Sequence, residues 1–449
     1  MAELRARVAA GFADLRSDLE ALVRIPGVSS PAFDQTHVQT SAQAVAALLR
    51  AAGLADARVL TARRADGVLS RPAVVGHRPG PAGAPTVLLY AHHDVQPTGP
   101  REEWATEPFE PTERHGRLYG RGAADDKAGV VAHVGALRAL GDDLAVSVTL
   151  FVEGEEEVGS PVFAAFLAEH RDLLAADVIV VADSLNWRVG VPALTTSLRG
   201  LVDCVVEVAV LEHDVHSGMF GGPILDAPTL LARLIATLHD DDGAVAVAGL
   251  HAAPEPTVDY DEGDLRSDAS VLPGVRLAGT GPLSGRLWTK PALSVIGIDA
   301  TSVAQSSNTI AARARAKLSL RVAPGQDPAQ AAVALRAHLE GNAPFGARVS
   351  VTDGELGKAF AAPTDTPAMR VARQAFADAW GTAPVDIGVG GSIPFICDLL
   401  EVFPDAAILV TGVEDPDSRA HSANESVHLG ELERVVLAEA LLLSRLAEG

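Results

Sequence analysis

Imidazole and carboxylate side chains collect at five points along the 449-residue chain. AHHDVQP carries His92 and Asp94, and LYGRGAADDKAG carries Asp125 and Asp126. EGEEEVGS carries Glu153, Glu155, Glu156 and Glu157; Asp183 follows an apolar run, and AHSANE carries His421. Nitrogen and carboxylate oxygen donors of this kind bind zinc. A bridging carboxylate can hold two such ions roughly 3.5–4 Å apart. His92 and Asp94 are two residues apart, so in extended backbone they share a face. There Asp94 can hydrogen-bond the His92 nitrogen that does not bind metal. In EGEEE, one carboxylate can bind metal while its neighbour takes a proton from water. Singly, each motif has a plainer reading: a surface His–Asp pair, acids at a helix start, an N-cap turn at Asp125–Asp126, a loop histidine. Their placement argues otherwise.

Four apolar runs, residues 87–90, 146–152, 178–181 and 408–411, read as buried strands. Helical patterns, such as residues 128–140 and 163–170, lie between them. Alternation of this kind predicts an α/β domain whose largely parallel sheet is flanked by helices. Ligands of such sheets bind beyond the carboxyl ends of the strands. Each run is followed there by candidate ligands, and Asp125–Asp126 precede the helix at 128. The first segment reads as an amphipathic helix with Leu15, Leu19, Leu22 and Val23 on one face. From Arg199 to about Phe360 the pattern changes to alternating stretches, residues 201–210 and 314–322, with helices expected over 229–238 and 328–339. Asp327 suits an N-cap and Pro328 the first helical position of the last of these. This predicts an inserted α+β domain at residues 199–360, inside a discontinuous domain of residues 1–198 and 361–449. Gly390, Gly391 and Ser392 precede a helix-like stretch at 393–400. A turn of this kind presents N–H groups to an anion, such as a substrate carboxylate.

The net charge of -22 argues against nucleic acid and anionic membranes as partners. No apolar run reaches membrane-spanning length, and charges interrupt the first residues too often for a signal-peptide core. The two cysteines, Cys204 and Cys397, sit in apolar runs. Buried thiols and a reducing, cytoplasmic setting are therefore expected.

Taken together and in this order, AHHDVQP, LYGRGAADDKAG, EGEEEVGS, VADSLNW, DVHSGMFGG, GGSIP and AHSANE resemble the dinuclear-metal aminoacylase, dipeptidase and carboxypeptidase family nearly end to end. The DDK and HSGMFGG forms look closest to its carnosinase and cytosolic nonspecific dipeptidase branch. The resemblance implies that His92 and Asp183 bind one metal, that Glu157 and His421 bind the other, and that Asp125 bridges them. It implies Glu156 as general base, Asp94 as the residue that orients His92, and a cis peptide bond between Asp125 and Asp126. It makes the inserted domain a lid and dimerisation domain whose His216 reaches the partner subunit's site of a homodimer and polarises the scissile carbonyl. Arg321 resembles an arginine that pairs with the substrate carboxylate, and Asn308 and Thr309 resemble a further partner-supplied contact. The chain carries Gly388-Val389 where many dipeptidase-branch members have an acidic residue and an arginine.

The expected reaction is hydrolysis of the amide bond of a small peptide with a free C-terminal carboxylate. Two divalent ions assist, zinc foremost, with manganese or cobalt as substitutes. An N-acyl-amino-acid deacylase would use the same metals. A binding protein on a decayed scaffold would be expected to lack Glu156 or Asp125. No G-x-S-x-G elbow and no complete G-x-G-x-x-G occur, which disfavours a serine hydrolase or a dinucleotide-binding enzyme.

Overall fold

The computed structural model describes residues 1–391 and 394–447. The chain divides into two compact units. One comprises Met1–Thr196, Ala362–Asp386 and Pro394–Gly449; the other comprises Ser197–Ala361 with Ile387–Ile393.

The first unit is built on a mixed sheet. Its strands run in the order Arg58–Leu60, Ala73–Arg78, Ser147–Glu153, Thr86–His92, Val178–Val181 and Ala407–Val410, with Ala193–Leu198 beside the last. The four strands from Ser147–Glu153 to Ala407–Val410 are parallel. Their neighbours on both sides are antiparallel, so the expected parallel sheet forms the centre only. Register pairs His92 with Glu153 and Val181 with Val410, so the carboxyl ends of the central strands lie along one edge. Side chains of a strand alternate between faces. Val87, Leu89 and Ala91 join the core shared with helices Ala2–Val23, Lys127–Leu140, Pro367–Trp380 and Leu429–Leu446. Tyr90, offset by one residue, belongs to an aromatic cluster with Phe151, Phe163 and Phe395. Leu15, Leu19, Leu22 and Val23 are all buried along the first helix.

The second unit is α+β. An antiparallel sheet runs in the order Ala292–Asp299, Arg313–Val322, Gly200–Ala209, Arg348–Gly357. Helices Ala227–Ala236 and Pro328–Gly341 cover one face, burying Val202, Val206, Leu318 and Leu320 beneath Leu230, Leu234, Leu335 and Leu339. The Asp327 carboxylate accepts the Ala329 N–H at 2.9 Å, as an N-cap should. The other helix begins two residues earlier than expected, because Asp226 caps it by accepting the Thr229 N–H at 2.8 Å.

Candidate metal centre

His92 ends its strand with both ring nitrogens facing acids. Nε2 is 2.9 Å from Asp125 Oδ1 and 4.0 Å from Asp183 Oδ1. Nδ1 is 3.1 Å from the Asp94 carbonyl and 3.4 Å from its Oδ1. The Asp94 carboxylate also accepts the backbone N–H groups of Glu156 and Glu157 at 3.3 and 3.1 Å. One buried acid thus fixes the imidazole and the start of the acidic turn together. On the other side, Asp125 Oδ2 is 2.9 Å from His421 Nε2, which is 3.2 Å from Glu157 Oε2. The result is two trios, His92–Asp125–Asp183 and Asp125–Glu157–His421. Each has its donor atoms within 4.8 Å of one another, and Asp125 is common to both.

Local sequence explains how adjacent acids part company. The Asp125–Asp126 peptide bond is cis. Asp125 faces the trios, while Asp126 caps the following helix, accepting the N–H groups of Gly129 at 3.1 Å and His92 at 3.2 Å. The helix-cap reading therefore describes Asp126 and not Asp125. In the acidic run, Glu153 accepts the Tyr90 hydroxyl at 2.6 Å, and Glu155 accepts the Arg71 and Val162 N–H groups. Glu156 and Glu157 open a short 3-10 turn. The loops carrying Asp183 and the chain after Ala407–Val410 touch closely at Gly412, where a Cβ would lie 1.5 Å from the Ser184 carbonyl oxygen.

Several supporting residues escaped the sequence reading although three lay inside its own motifs. Gln96 of AHHDVQP donates to Glu157 Oε1 from its backbone at 3.0 Å and to Oε2 from its side chain at 2.7 Å. Glu425 of AHSANE accepts the Ala124 and Asp125 N–H groups at 3.0 and 3.1 Å and pairs with Arg121 at 2.6 Å. Both members of that ion pair are buried. Glu414, half-buried in the loop before His421, adds another carboxyl to the field of Asp125 and Asp183.

The electrostatics call for cations. Burial pushes the Glu157 carboxyl up to about 7 and that of Asp183 up to about 6. Burial, reinforced by Asp183, carries Glu156 well above the ordinary carboxylate range. Burial also opposes ionisation of Asp125, yet hydrogen bonds from His421 and His92 outweigh it and hold that carboxyl down. The same contacts with Asp125 and Glu157 raise His421 to about 11. A cluster that binds protons this firmly satisfies the charge and donor requirements of divalent ions, and its N/O donor set fits zinc.

The remaining candidates lie on the second unit. His216 is exposed, its Nδ1 accepting the Gly218 N–H at 3.0 Å. It stands on a two-residue strand opposite Thr309, and the Ser217 N–H donates to the Asn308 carbonyl at 2.9 Å. His216, Asn308 and Thr309, distant in sequence, therefore form one ribbon. Arg321 is half-buried in the strand Arg313–Val322. The Gly390 carbonyl accepts Arg199 Nε at 3.1 Å. Gly391 follows it, and Ser392 lies outside the described residues.

Residues 88–445 match the model of peptidase family M20/M25/M40. Cysteinylglycine-S-conjugate dipeptidase of Corynebacterium striatum is 37% identical over 424 residues, covering 92% of this chain and 91% of that protein. Beta-Ala-His dipeptidase of Rattus norvegicus is 30% identical over 364 residues, covering 77% and 73% respectively. The crystal structure of human carnosine dipeptidase 1 superposes with a TM-score of 0.77 at 26% identity, over 99% of this chain and 98% of that one.

Proposed function

The chain belongs to peptidase family M20/M25/M40, and we propose that it is a metallodipeptidase that hydrolyses small peptides with a free C-terminal carboxylate. The observation that carries this reading is the pair of trios joined by Asp125, with Glu156 in the turn that also supplies Glu157. The similarity to dipeptidases over more than nine-tenths of both chains supports it.

His92, Asp125 and Asp183 would hold one divalent ion, and Asp125, Glu157 and His421 the other. Such ions, zinc in the first place, supply Lewis acidity that eases deprotonation of water and polarises a carbonyl. Glu156 takes the proton of the attacking water and returns it to the leaving amine. Asp94 holds His92 in the orientation that turns Nε2 toward Asp125. His216 of the partner subunit donates a hydrogen bond to the carbonyl oxygen as negative charge develops there. Arg321 and the turn Gly390, Gly391 and Ser392 hold the terminal carboxylate, with Asn308 and Thr309 adding a partner contact.

The second unit is assigned as lid and dimerisation domain. In support, Ala292–Asp299 is an edge strand with Ile296 54% and Ile298 61% exposed, an apolar edge that pairing with a second copy would cover. Cys204 and Cys397 are both buried and do not form a disulfide with each other, which fits a cytoplasmic setting. Among the described residues, no helix is long and apolar enough to cross a membrane.

The test is a substrate panel on metal-reconstituted protein: dipeptides against N-acetyl and N-succinyl amino acids. Turnover of dipeptides, lost on chelation and restored by zinc, manganese or cobalt, is the expected result. Turnover confined to the N-acyl amino acids would replace this reading with a deacylase on the same site.

A further inference from the structure

A buried guanidinium without a carboxylate partner is the least economical group in the second unit. Arg199 is 8% exposed, and all its acceptors are backbone carbonyls. Nε donates to Gly390 at 3.1 Å, and Nη1 donates to Arg286 at 3.4 Å and Lys290 at 3.5 Å. Nη2 has no acceptor among the described residues. Among the described residues no acid lies within ion-pair distance of the Arg199 or Arg321 guanidinium: Asp203 Oδ2 pairs with Lys317 at 3.4 Å, its Oδ1 being buried without a hydrogen bond, and Glu255 pairs with Lys290 at 2.8 Å. A second cation lies close by. In the sheet, Val322 pairs with Gly200 and Arg321 with Leu201. Continuing that register by one residue makes Arg199 a diagonal neighbour of Arg321 on the same face, within reach of two long side chains. It is the face opposite the helices, since Val202 and Leu320 point toward them. The Arg321 side chain likewise has no hydrogen bond or ion pair among the described residues. Burial, with Arg321 adding repulsion, pushes Arg199 down to about 10. Two neighbouring arginines without an acid, in a chain of net charge -22, carry a desolvation cost that an arriving anion would offset.

The geometry points to Arg199 as a second carboxylate-binding cation of the substrate site, acting with Arg321 and with the Gly390–Gly391 turn that it braces. The inference rests on the proposed substrate having a free terminal carboxylate. The turn is shaped for this arrangement. A Cβ at Gly390 would lie 2.8 Å from Arg199 Nη2 and 3.3 Å from the Leu287 carbonyl oxygen, so a side chain there would push the guanidinium away from the turn. Nε is spent on the Gly390 carbonyl, and Nη2 is left to meet the ligand. A planar fork of this kind recognises a carboxylate with geometric as well as electrostatic selectivity.

Arg199→Gln tests the assignment with L-alanyl-L-alanine as substrate and L-alanyl-L-alaninamide as competing ligand. The expected result is a KM for the acid raised about tenfold or more, the scale of a lost charged hydrogen bond. Turnover at saturation should stay within about threefold, metal content should be unchanged, and the inhibition constant of the amide should not move. An unchanged KM, or equal weakening of acid and amide, overturns the assignment, since a residue that merely braces the turn would affect both ligands alike. Should Arg199→Gln fail to fold, Arg199→Lys keeps the buried charge but loses the fork. It must then weaken the acid relative to the amide, and an unchanged ratio overturns the proposal. If wild-type protein cleaves no dipeptide, the dipeptidase reading fails separately. N-acetyl-L-alanine and its amide then pose the same acid-against-amide question.

Discussion

Glu156 and Glu157 are neighbours with different surroundings, and the surroundings support different proposed roles. Glu157 is gripped by Gln96 through both carboxylate oxygens and faces His421, as suits a fixed ligand. Glu156 is bounded by burial and by the repulsion of Asp183, which favours a group that picks up a proton. Glu156→Gln is therefore expected to retain both metals and lose about a hundredfold or more in kcat. Glu157→Ala is expected to bind one metal weakly. Elemental analysis after gel filtration, beside steady-state rates, distinguishes them. Exchanged phenotypes would reverse the roles.

At the scale of elements, the metal edge depends on helix Lys127–Leu140, whose first turn carries the Asp126 cap and whose middle is stapled from two sides. His133 Nδ1 is 2.8 Å from Glu439 Oε1 of the helix Leu429–Leu446, and Nε2 is 3.0 Å from the Tyr90 carbonyl. Both nitrogens face acceptors, so the ring is an imidazolium. Burial opposes that charge, but the Glu439 carboxylate and the Tyr90 carbonyl outweigh it and raise the pKa above the ordinary 6.5. His133→Ala leaves Glu439 buried and unpaired, and should cost about 3–5 kcal/mol in denaturant unfolding. A raised folded-state pKa means the His133 contribution is fully present below about pH 6.5 and is lost as pH rises through the raised value. The stability gap between wild type and variant should narrow in alkaline buffer. A gap that widens there would show that the ring is neutral in the folded state.

For the whole molecule, the open question is whether one chain suffices. His216 shares its ribbon with Asn308 and Thr309, and the edge strand Ala292–Asp299 leaves Ile296 and Ile298 in solvent. Ile298→Glu should shift the protein to monomer in sedimentation velocity and lower activity with it. A mixing experiment then asks what the partner supplies. Glu156→Gln and His216→Ala, each nearly inactive alone, should regain about a quarter of wild-type activity after dissociation and random reassociation. Half the dimers are then mixed, and each mixed dimer has one intact site. No recovery after verified subunit exchange would mean that His216 acts within its own chain.

The helices Thr36–Ala51, Pro367–Trp380 and Leu429–Leu446 were not anticipated, but the sequence by itself determined the four central strands, the helices Ala2–Val23 and Lys127–Leu140 and the candidate ligands that follow the strands. These are local signals: an apolar run of strand length reads the same before and after folding, and the donors sit within a few residues of its end. Val178–Val181 has the expected limits, and the helix Lys127–Leu140 begins one residue early, behind its Asp126 cap. Tertiary structure decided what depends on partners far along the chain. The strands Arg58–Leu60 and Ala73–Arg78 are short, and only pairing with Ser147–Glu153 and with each other makes them sheet. The Glu425 clamp on the Asp125 backbone spans 300 residues, and the Arg199 brace on Gly390 spans 191. Neither arginine nor glutamate announces such a role by spacing, because a hydrogen bond to a remote backbone group leaves no periodic trace in the sequence. Folding brings the two ends of each bond together, and only then does a charged residue within a motif, or at a domain edge, acquire its specific partner.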